Sequence, residues 1–349
     1  MPFGSSHGNL LCPLEINMKN LDHQYQSALS KITQAQNILL VTHYNPDGDG
    51  LSSSCAMAEY LTSIGKSHTL YCHTEPSATY HFLPHLSEFL FTESLDKTCK
   101  QELPIAFSDY DLILVFDCGS LSRTKLTEQI LGREQNQFVI EFDHHPKVDD
   151  YANIEIRDHT AAATAEIVYN FFLINNLRLD KTLANTLMTG LVTDTANFLY
   201  PSTSEHTIEA AANLVRHGAH LPRINDYTMR NKSLEAMKLW GQIMADLQIN
   251  KKYNLAFTIL PKETFANQAI DKEELEGVSG FLSNLHGVNG LLFLREEGDG
   301  ILRGSLRTNQ DNIDISVLAR HLGGGGHAKA SGFSLKGELQ KIDGGWRVT

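Results

Sequence analysis

Along the first two-thirds of the chain, amphipathic stretches alternate with short apolar runs. "QYQSALSKITQAQ" and "LSSSCAMAEYLTSIG" carry apolar residues at helical spacing, whereas "NILLVT", "LILVF" and "FVIEF" are nearly continuous in apolar residues, and "HTLYCH" reads as a further strand. Continuous apolar strands between amphipathic helices predict an α/β fold with a mainly parallel sheet flanked by helices on both faces. The helices "AAATAEIVYNFFLINN" and "KTLANTLMTGLVTDTANF" complete this region. Periodicity fades through "GAHLPRINDYTMRN", and residues 218–231 are the expected linker. After it come a helix, "SLEAMKLWGQIMADL", the strand "NLAFTIL", a helix, "KEELEGVSGFLSNL", the strands "GLLFLRE" and "ILRGSLRT", the helix "ISVLARHL", and then "GGGGHAKASGF". This order predicts a smaller C-terminal α/β domain. The expected division is therefore a tail or non-native start over 1–17, with Met18 as the natural start, then a first domain over 18–217, the linker, and a second domain over 232–349.

The length of 349 residues agrees with two cores, since a domain holds roughly 100 to 200 residues. A formal net charge of -12 excludes a protein that coats nucleic acid through a broad cationic surface, so any phosphate ligand must be held locally. Five cysteines, Cys12, Cys55, Cys72, Cys99 and Cys118, are scattered without a CxxC pair; this suits free thiols in a reducing compartment, and the expected location is cytoplasmic. The apolar runs are strand-sized and far below the roughly 20 residues of a membrane span.

Candidate chemistry collects where the strands end. His43, Asp47 and Asp49 follow "NILLVT", Asp117 follows "LILVF", Asp143, His144 and His145 follow "FVIEF", and Asp194 lies near the end of a helix. In open parallel sheets the ligand crevice lies outside the carboxyl ends of the strands. Taken singly, Asp47 is a turn residue in "NPDG", His43 a strand-end histidine and Asp194 a polar helix end. Together, His43, Asp47, Asp49, Asp117, His144 and Asp194 supply enough oxygen and nitrogen donors for two divalent cations if one carboxylate bridges, and Asp117 is the expected bridge. Mixed carboxylate and imidazole ligands suit Mn²⁺, with Mg²⁺, Co²⁺ or Zn²⁺ as alternatives, and the absence of cysteine ligands argues against a thiolate zinc site. Two such ions permit direct hydrolysis without a protein nucleophile. Ser52, Ser53 and Ser54 are expected to cap the following helix, and His159 is a weaker candidate for the same crevice. In the second domain, Gly324, Gly325 and Gly326 precede His327 and Lys329, with Arg303 and Arg307 on the preceding strand. This reads as a compact cationic grip on a nucleotide, with Arg307 the best bidentate phosphate contact and Arg295 left to a surface ion pair with Glu296 or Glu297.

"HYNPDGDG", "FDCGS", "EFDHH" and "VTDT", in this order, resemble the four motifs of the DHH phosphoesterase family, and "GSLRTNQDNIDISVLARHLGGGGHAKASGF" resembles its associated C-terminal domain with a GGGH signature. The resemblance runs from about residue 20 to 335 and is similar to the stand-alone oligoribonucleases, many of which also dephosphorylate adenosine 3',5'-bisphosphate (pAp). It implies His43, Asp47 and Asp117 on one metal and Asp49, Asp117, His144 and Asp194 on the other. His145 is then the residue that touches the scissile phosphate, with Asp143 supporting the histidines from behind, and the active-site cleft lies between the two domains. The implied enzyme cuts short RNA of about two to five nucleotides, with neither membrane nor long duplex as partner and a homodimer left open. A linear dinucleotide such as pApA, or cyclic-di-AMP, is the alternative substrate. A catalytically silent nucleotide sensor is the alternative of another class, disfavoured by the intact donor set.

Overall fold

The computed structural model describes residues 13–94, 102–264, 275, 277–297, 300–342 and 345–349. The tail reading of 1–17 falls mostly outside these residues; from Pro13 the chain is helical. Contacts divide the chain into two compact units. One holds the described residues up to Asp194 together with Glu205–His220, and the other holds Thr195–Ser204 and Leu221–Thr349.

The first unit comprises α1 (Pro13–Gln34), β1 (Asn37–Thr42), α2 (Gly48–Ser63), β2 (Ser67–Tyr71), β3 (Phe89–Leu90), β4 (Leu112–Phe116), α3 (Thr127–Leu131), β5 (Phe138–Asp143), β6 (Ile154–Arg157), α4 (Thr164–Ile174), α5 (Lys181–Asp194) and α6 (Glu205–Arg216). All six strands are parallel, in the order β3-β2-β1-β4-β5-β6. Both faces of the sheet are covered, which is why its central strands are apolar at successive positions. Leu39, Val41, Ile113, Val115 and Val139 enter one cluster with Leu126 and Ile130. On the other face Phe116 stacks on Phe142, whose ring meets Phe171 of α4 edge-on. The chain runs outward from β1 to β3 and then resumes on the other side at β4. The strand order therefore reverses between β1 and β4, and the carboxyl ends of those two strands are where an open parallel sheet places its ligand site.

The second unit comprises α7 (Leu221–Thr228), α8 (Leu234–Ala245), β7 (Gln248–Asn250), β8 (Leu255–Leu260), α9 (Val278–Leu282), β9 (Gly290–Glu297), β10 (Ile301–Arg307), α10 (Ser316–His321), β11 (Gly325–Gly326), β12 (Ala330–Lys336) and the hairpin β13 (Leu339–Ile342) and β14 (Gly345–Val348). Its main sheet runs β11-β12-β10-β9-β8-β7, antiparallel except for the β8–β9 pair. Helix α7 occupies part of the stretch read as linker. Pro222 is tolerated in its first turn, and Ile224 and Thr228 are buried one turn apart. Among the described residues no helix is long and apolar enough to cross a membrane. Cys55, Cys72 and Cys118 are buried free thiols; Cys12 and Cys99 lie outside the described residues.

Candidate metal centre

The site begins where β1 runs out. His43 is buried, and its Nδ1 lies 2.9 Å from the Tyr44 carbonyl, so Nδ1 carries the proton and Nε2 presents a lone pair. Nε2 lies 3.6 Å from Asp47 Oδ1 and 3.7 Å from Asp117 Oδ2, yet it is buried with no hydrogen-bond partner. Asp47 is the N-cap of α2, its Oδ1 accepting from the amides of Asp49 and Gly50 at 3.1 Å each. Its turn role and its place beside His43 thus coexist. The cap is Asp47 and not the serines, which lie inside the buried helix; Ser54 Oγ donates to the Gly50 carbonyl at 2.8 Å.

Asp117 ends β4 in left-handed backbone, φ +57, which a residue other than glycine adopts at a cost. Its Oδ1 accepts from Thr164 Oγ1 at 2.9 Å. Asp49, in the first turn of α2, sits on the amino end of α4, accepting from the amides of Thr164 (2.6 Å) and Ala165 (2.9 Å). His144 follows β5; its Nε2 is 3.4 Å from Asp117 Oδ1 and 3.6 Å from Asp194 Oδ2 at the end of α5. Two groups of donors result, His43 with Asp47 and Asp117, and Asp49 with His144 and Asp194, each with ligand atoms within 4.8 Å of one another.

The electrostatics are those of a site short of positive charge. Burial, with Asp117 and Asp194 nearby, holds the Asp49 carboxyl well above the usual carboxylate range. Burial, opposed by His144 and reinforced by Asp117, pushes Asp194 up to about 6. For His144 burial acts downward but is outweighed by Asp117, Asp194 and Asp49, so its value stands well above that of a free imidazole. Asp47, also pulled upward by its crowded surroundings, is held low by His43 and by the Gly50 amide. Crowded carboxylates whose proton affinity is raised at Asp49 and Asp194, and a buried imidazole nitrogen without a partner at His43, are what a pair of cations would relieve, and the residues present fit such ions.

Behind this cluster, Asp143 Oδ1 accepts from the amide (2.7 Å) and Nδ1 (2.9 Å) of His145, and Oδ2 accepts from the Gly119 amide at 2.5 Å. Burial pulls Asp143 up, but His145 and Arg157 hold it below the usual carboxylate range. Asp143 therefore orients His145 directly, while His144 Nδ1 turns to the Ala161 carbonyl at 3.4 Å. Two residues that sequence reasoning missed complete the frame. Thr164 holds both Asp49 and Asp117. Arg157 on β6 donates to the His145 carbonyl at 2.5 Å and pairs with Glu141 at 2.8 Å, which Tyr151 also caps at 2.5 Å. A glutamate inside the otherwise apolar "FVIEF" was the available signal, since a buried carboxylate calls for a cation. His159 lies in an exposed turn.

In the second unit, Arg303 Nε lies 3.3 Å from Glu297 Oε1, and Arg295 pairs with the same carboxylate at 2.7 Å. Lys329 Nζ donates to the Gln310 carbonyl. Arg307 differs: one nitrogen donates to the Leu306 carbonyl at 2.8 Å, but its Nε is buried with no hydrogen-bond partner, and the residue is among those lining a hollow of about 320 Å³ between the 283–288 loop and Thr308–Gln310. The glycine run is less of an open cradle than its composition predicts. The Gly323 amide bonds to Arg320, that of Gly324 to Ala319 and that of His327 to Ala330, while Gly325 and Gly326 pair with β12. Close approach explains Gly324, where a Cβ would come within 2.6 Å of Phe333 Cα.

The comparisons with known proteins agree with a sheet that gathers acidic and imidazole donors at its carboxyl ends: the chain carries a DHH-family N-terminal domain followed by a DHHA1 domain. Residues 37–191 match the N-terminal domain of the DHH family, and residues 253–343 match the DHHA1 domain. Among its relatives, the bifunctional oligoribonuclease and PAP phosphatase NrnA of Thermus thermophilus is 27% identical, over 86% of this chain and 84% of that one. The protein of the same description from Bacillus subtilis is 26% identical, over 85% and 89%. A solved structure, of an exopolyphosphatase-related protein from Bacteroides fragilis, shares the fold with a TM-score of 0.78 at 22% identity, over 92% of each chain.

Proposed function

We propose that the protein hydrolyses oligoribonucleotides of about two to five nucleotides to mononucleotides, and removes the 3'-phosphate of pAp, with two divalent cations, Mn²⁺ above all, at the strand-end cluster. The observation that carries this reading is the buried, unpartnered Nε2 of His43 facing Asp47 and Asp117, beside a second group in which burial and neighbouring carboxylates raise Asp49 and Asp194 above the usual carboxylate range. His43, Asp47 and Asp117 hold one ion, and Asp49, Asp117, His144 and Asp194 the other. When bound, such a pair supplies an activated water and neutralises charge on the phosphate oxygens. His145, its Nδ1 proton given to Asp143, is held to contact the scissile phosphate and to assist the leaving oxygen. Arg307, which lines a hollow of about 320 Å³, takes a substrate phosphate away from the bond that breaks. The names of the relatives support the substrate class, and the buried thiols suit a cytoplasmic enzyme.

The test is a panel on metal-stripped protein with Mn²⁺ restored: pAp, pApA, cyclic-di-AMP, RNA of increasing length, single-stranded DNA and pyrophosphate. Metal-dependent turnover of the shortest RNAs and of pAp is expected. Full turnover by stripped protein, or a preference for pyrophosphate or DNA, overturns the assignment.

A further inference from the structure

A second group of metal-ligating side chains lies in the first unit away from the strand-end carboxylates. One donor atom each of His68, His85 and Glu88 lie within 4.8 Å of one another. His68 stands on β2, and its Nδ1 bonds to the Lys66 carbonyl at 3.1 Å, which assigns the proton to Nδ1 and the lone pair to Nε2. His85 immediately precedes the 3₁₀ turn Leu86–Glu88, is mostly buried, and places Nδ1 2.9 Å from Glu88 Oε1 and Nε2 3.0 Å from Glu59 Oε2 on α2. The two imidazole rings meet edge-on at 6.0 Å.

We propose that this cluster is a zinc site, with His68 Nε2, His85 Nδ1 and the Glu88 carboxylate as protein ligands and water in the fourth position. Two imidazoles and a carboxylate form a common three-ligand set for Zn²⁺. Two ligands on one zinc stand roughly 3.3 Å apart in a tetrahedral site, and His85 and Glu88 already approach at 2.9 Å. Glu59 then accepts from His85 Nε2–H, the outer carboxylate that fixes the tautomer and orientation of a ligand histidine. The nitrogen-rich set favours zinc, whereas the aspartate-rich centre suits manganese, so the two sites differ in chemistry as well as in place. A metal here ties α2, whose first turn carries Asp49, to β2 and to the 81–88 turn.

The measurement is zinc content of the full chain after stripping, saturation with Mn²⁺, addition of Zn²⁺ and desalting, in the parent and in Glu88→Gln and His68→Gln, with Co²⁺ absorption as the spectroscopic counterpart. Glu88 is more than half exposed, so its substitution does not threaten folding. The same comparison in an Asp117→Asn background separates zinc here from zinc that displaces manganese. Each variant is expected to bind one zinc fewer than its parent, to lose the visible Co²⁺ band of a four-coordinate site, and to keep Mn²⁺-dependent hydrolysis. Glu59→Gln is expected to bind about ten- to a hundred-fold more weakly. Equal zinc content and equal spectra in the parent and both ligand variants overturn the site and leave His85 as the centre of ion pairs with Glu59 and Glu88.

Discussion

At Asp117 one carboxylate reaches in two directions, Oδ2 toward His43 Nε2 at 3.7 Å and Oδ1 toward His144 Nε2 at 3.4 Å, from a backbone twisted into the left-handed region. A neutral amide in its place keeps the bond from Thr164 but cannot balance two dications. Asp117→Asn is therefore expected to lose activity on the order of a hundredfold or more and to bind metal weakly with an unchanged circular dichroism spectrum. Near-normal turnover with an unchanged metal count refutes the bridging role. His144 and His145 divide differently although they are neighbours in the chain. His144 Nε2 lies near both Asp117 and Asp194, whereas His145 Nδ1, although 3.5 Å from Asp117 Oδ1, is engaged by Asp143 at 2.9 Å. His144→Ala should lower metal occupancy, while His145→Ala should keep the metals and lose about a hundred- to ten-thousand-fold in the chemical step. Metal titrations beside single-turnover rates decide, and equal metal loss in both variants rejects the division. The six donors are legible in the sequence because each is an ionisable residue placed just past an apolar strand or at a helix end. Thr164 and Arg157 are not, because a threonine that opens a helix and an arginine on a short strand have commoner uses, and their partners stand far away in the chain.

Elements bring these side chains together through tight contacts among α2, α4 and α5. A Cβ at Gly190 would lie 2.5 Å from Ala165 Cβ and 2.8 Å from Asp49 Oδ1, so α5 approaches the other two helices only because this position is bare. Gly190→Ala is expected to cost about 1–3 kcal/mol by overpacking and to weaken metal binding as Asp49 is displaced. Denaturant unfolding and metal titration of the variant give both quantities; parental values in both would show that the helices yield without disturbing Asp49. Glu166 joins α4 to α6, its Oε2 accepting from Thr207 Oγ1 at 2.8 Å and from the Ala162 amide at 3.1 Å. Burial raises its pKa from the ordinary 4.5, against the pull of those two bonds. Because the folded protein holds this proton more tightly than the unfolded chain, the stability it contributes is full below 4.5 and is lost as pH rises through the folded value. Glu166→Gln, which does not titrate, should lack that part of the decline, seen as a stability difference between variant and parent that changes across this window; a constant difference refutes the shift. The long parallel strands announce themselves through continuous apolar runs. By contrast β3 has two residues, β6 is a four-residue edge strand with one buried position, and the isolated β13–β14 hairpin is largely exposed, so none carries a comparable signal.

For the whole molecule, charge sets the conditions under which a polyanion arrives. The chain carries 41 acidic against 29 basic residues, and of the cationic residues read as a grip, Arg303 is tied to Glu297 and Lys329 to a backbone carbonyl. That leaves local attraction for one or two phosphates and general repulsion for a long strand. Efficiency on RNA of about two to five nucleotides should therefore greatly exceed that on a strand of about 24 nucleotides. Salt supplies the sign that distinguishes repulsion from a mere lack of contacts. Added salt weakens the attraction felt by a protein that binds along a phosphate backbone, so the rate on long strands falls; where net repulsion limits approach, screening raises it. Measured as kcat/KM at constant Mn²⁺ between low and physiological ionic strength, the short-to-long ratio is expected to narrow, with kcat on the dinucleotide nearly constant. A parent that prefers the long strand, or whose activity on it is steeply inhibited by salt, has a cationic track that its charge distribution does not reveal, and the short-RNA reading must then give way to a processive nuclease.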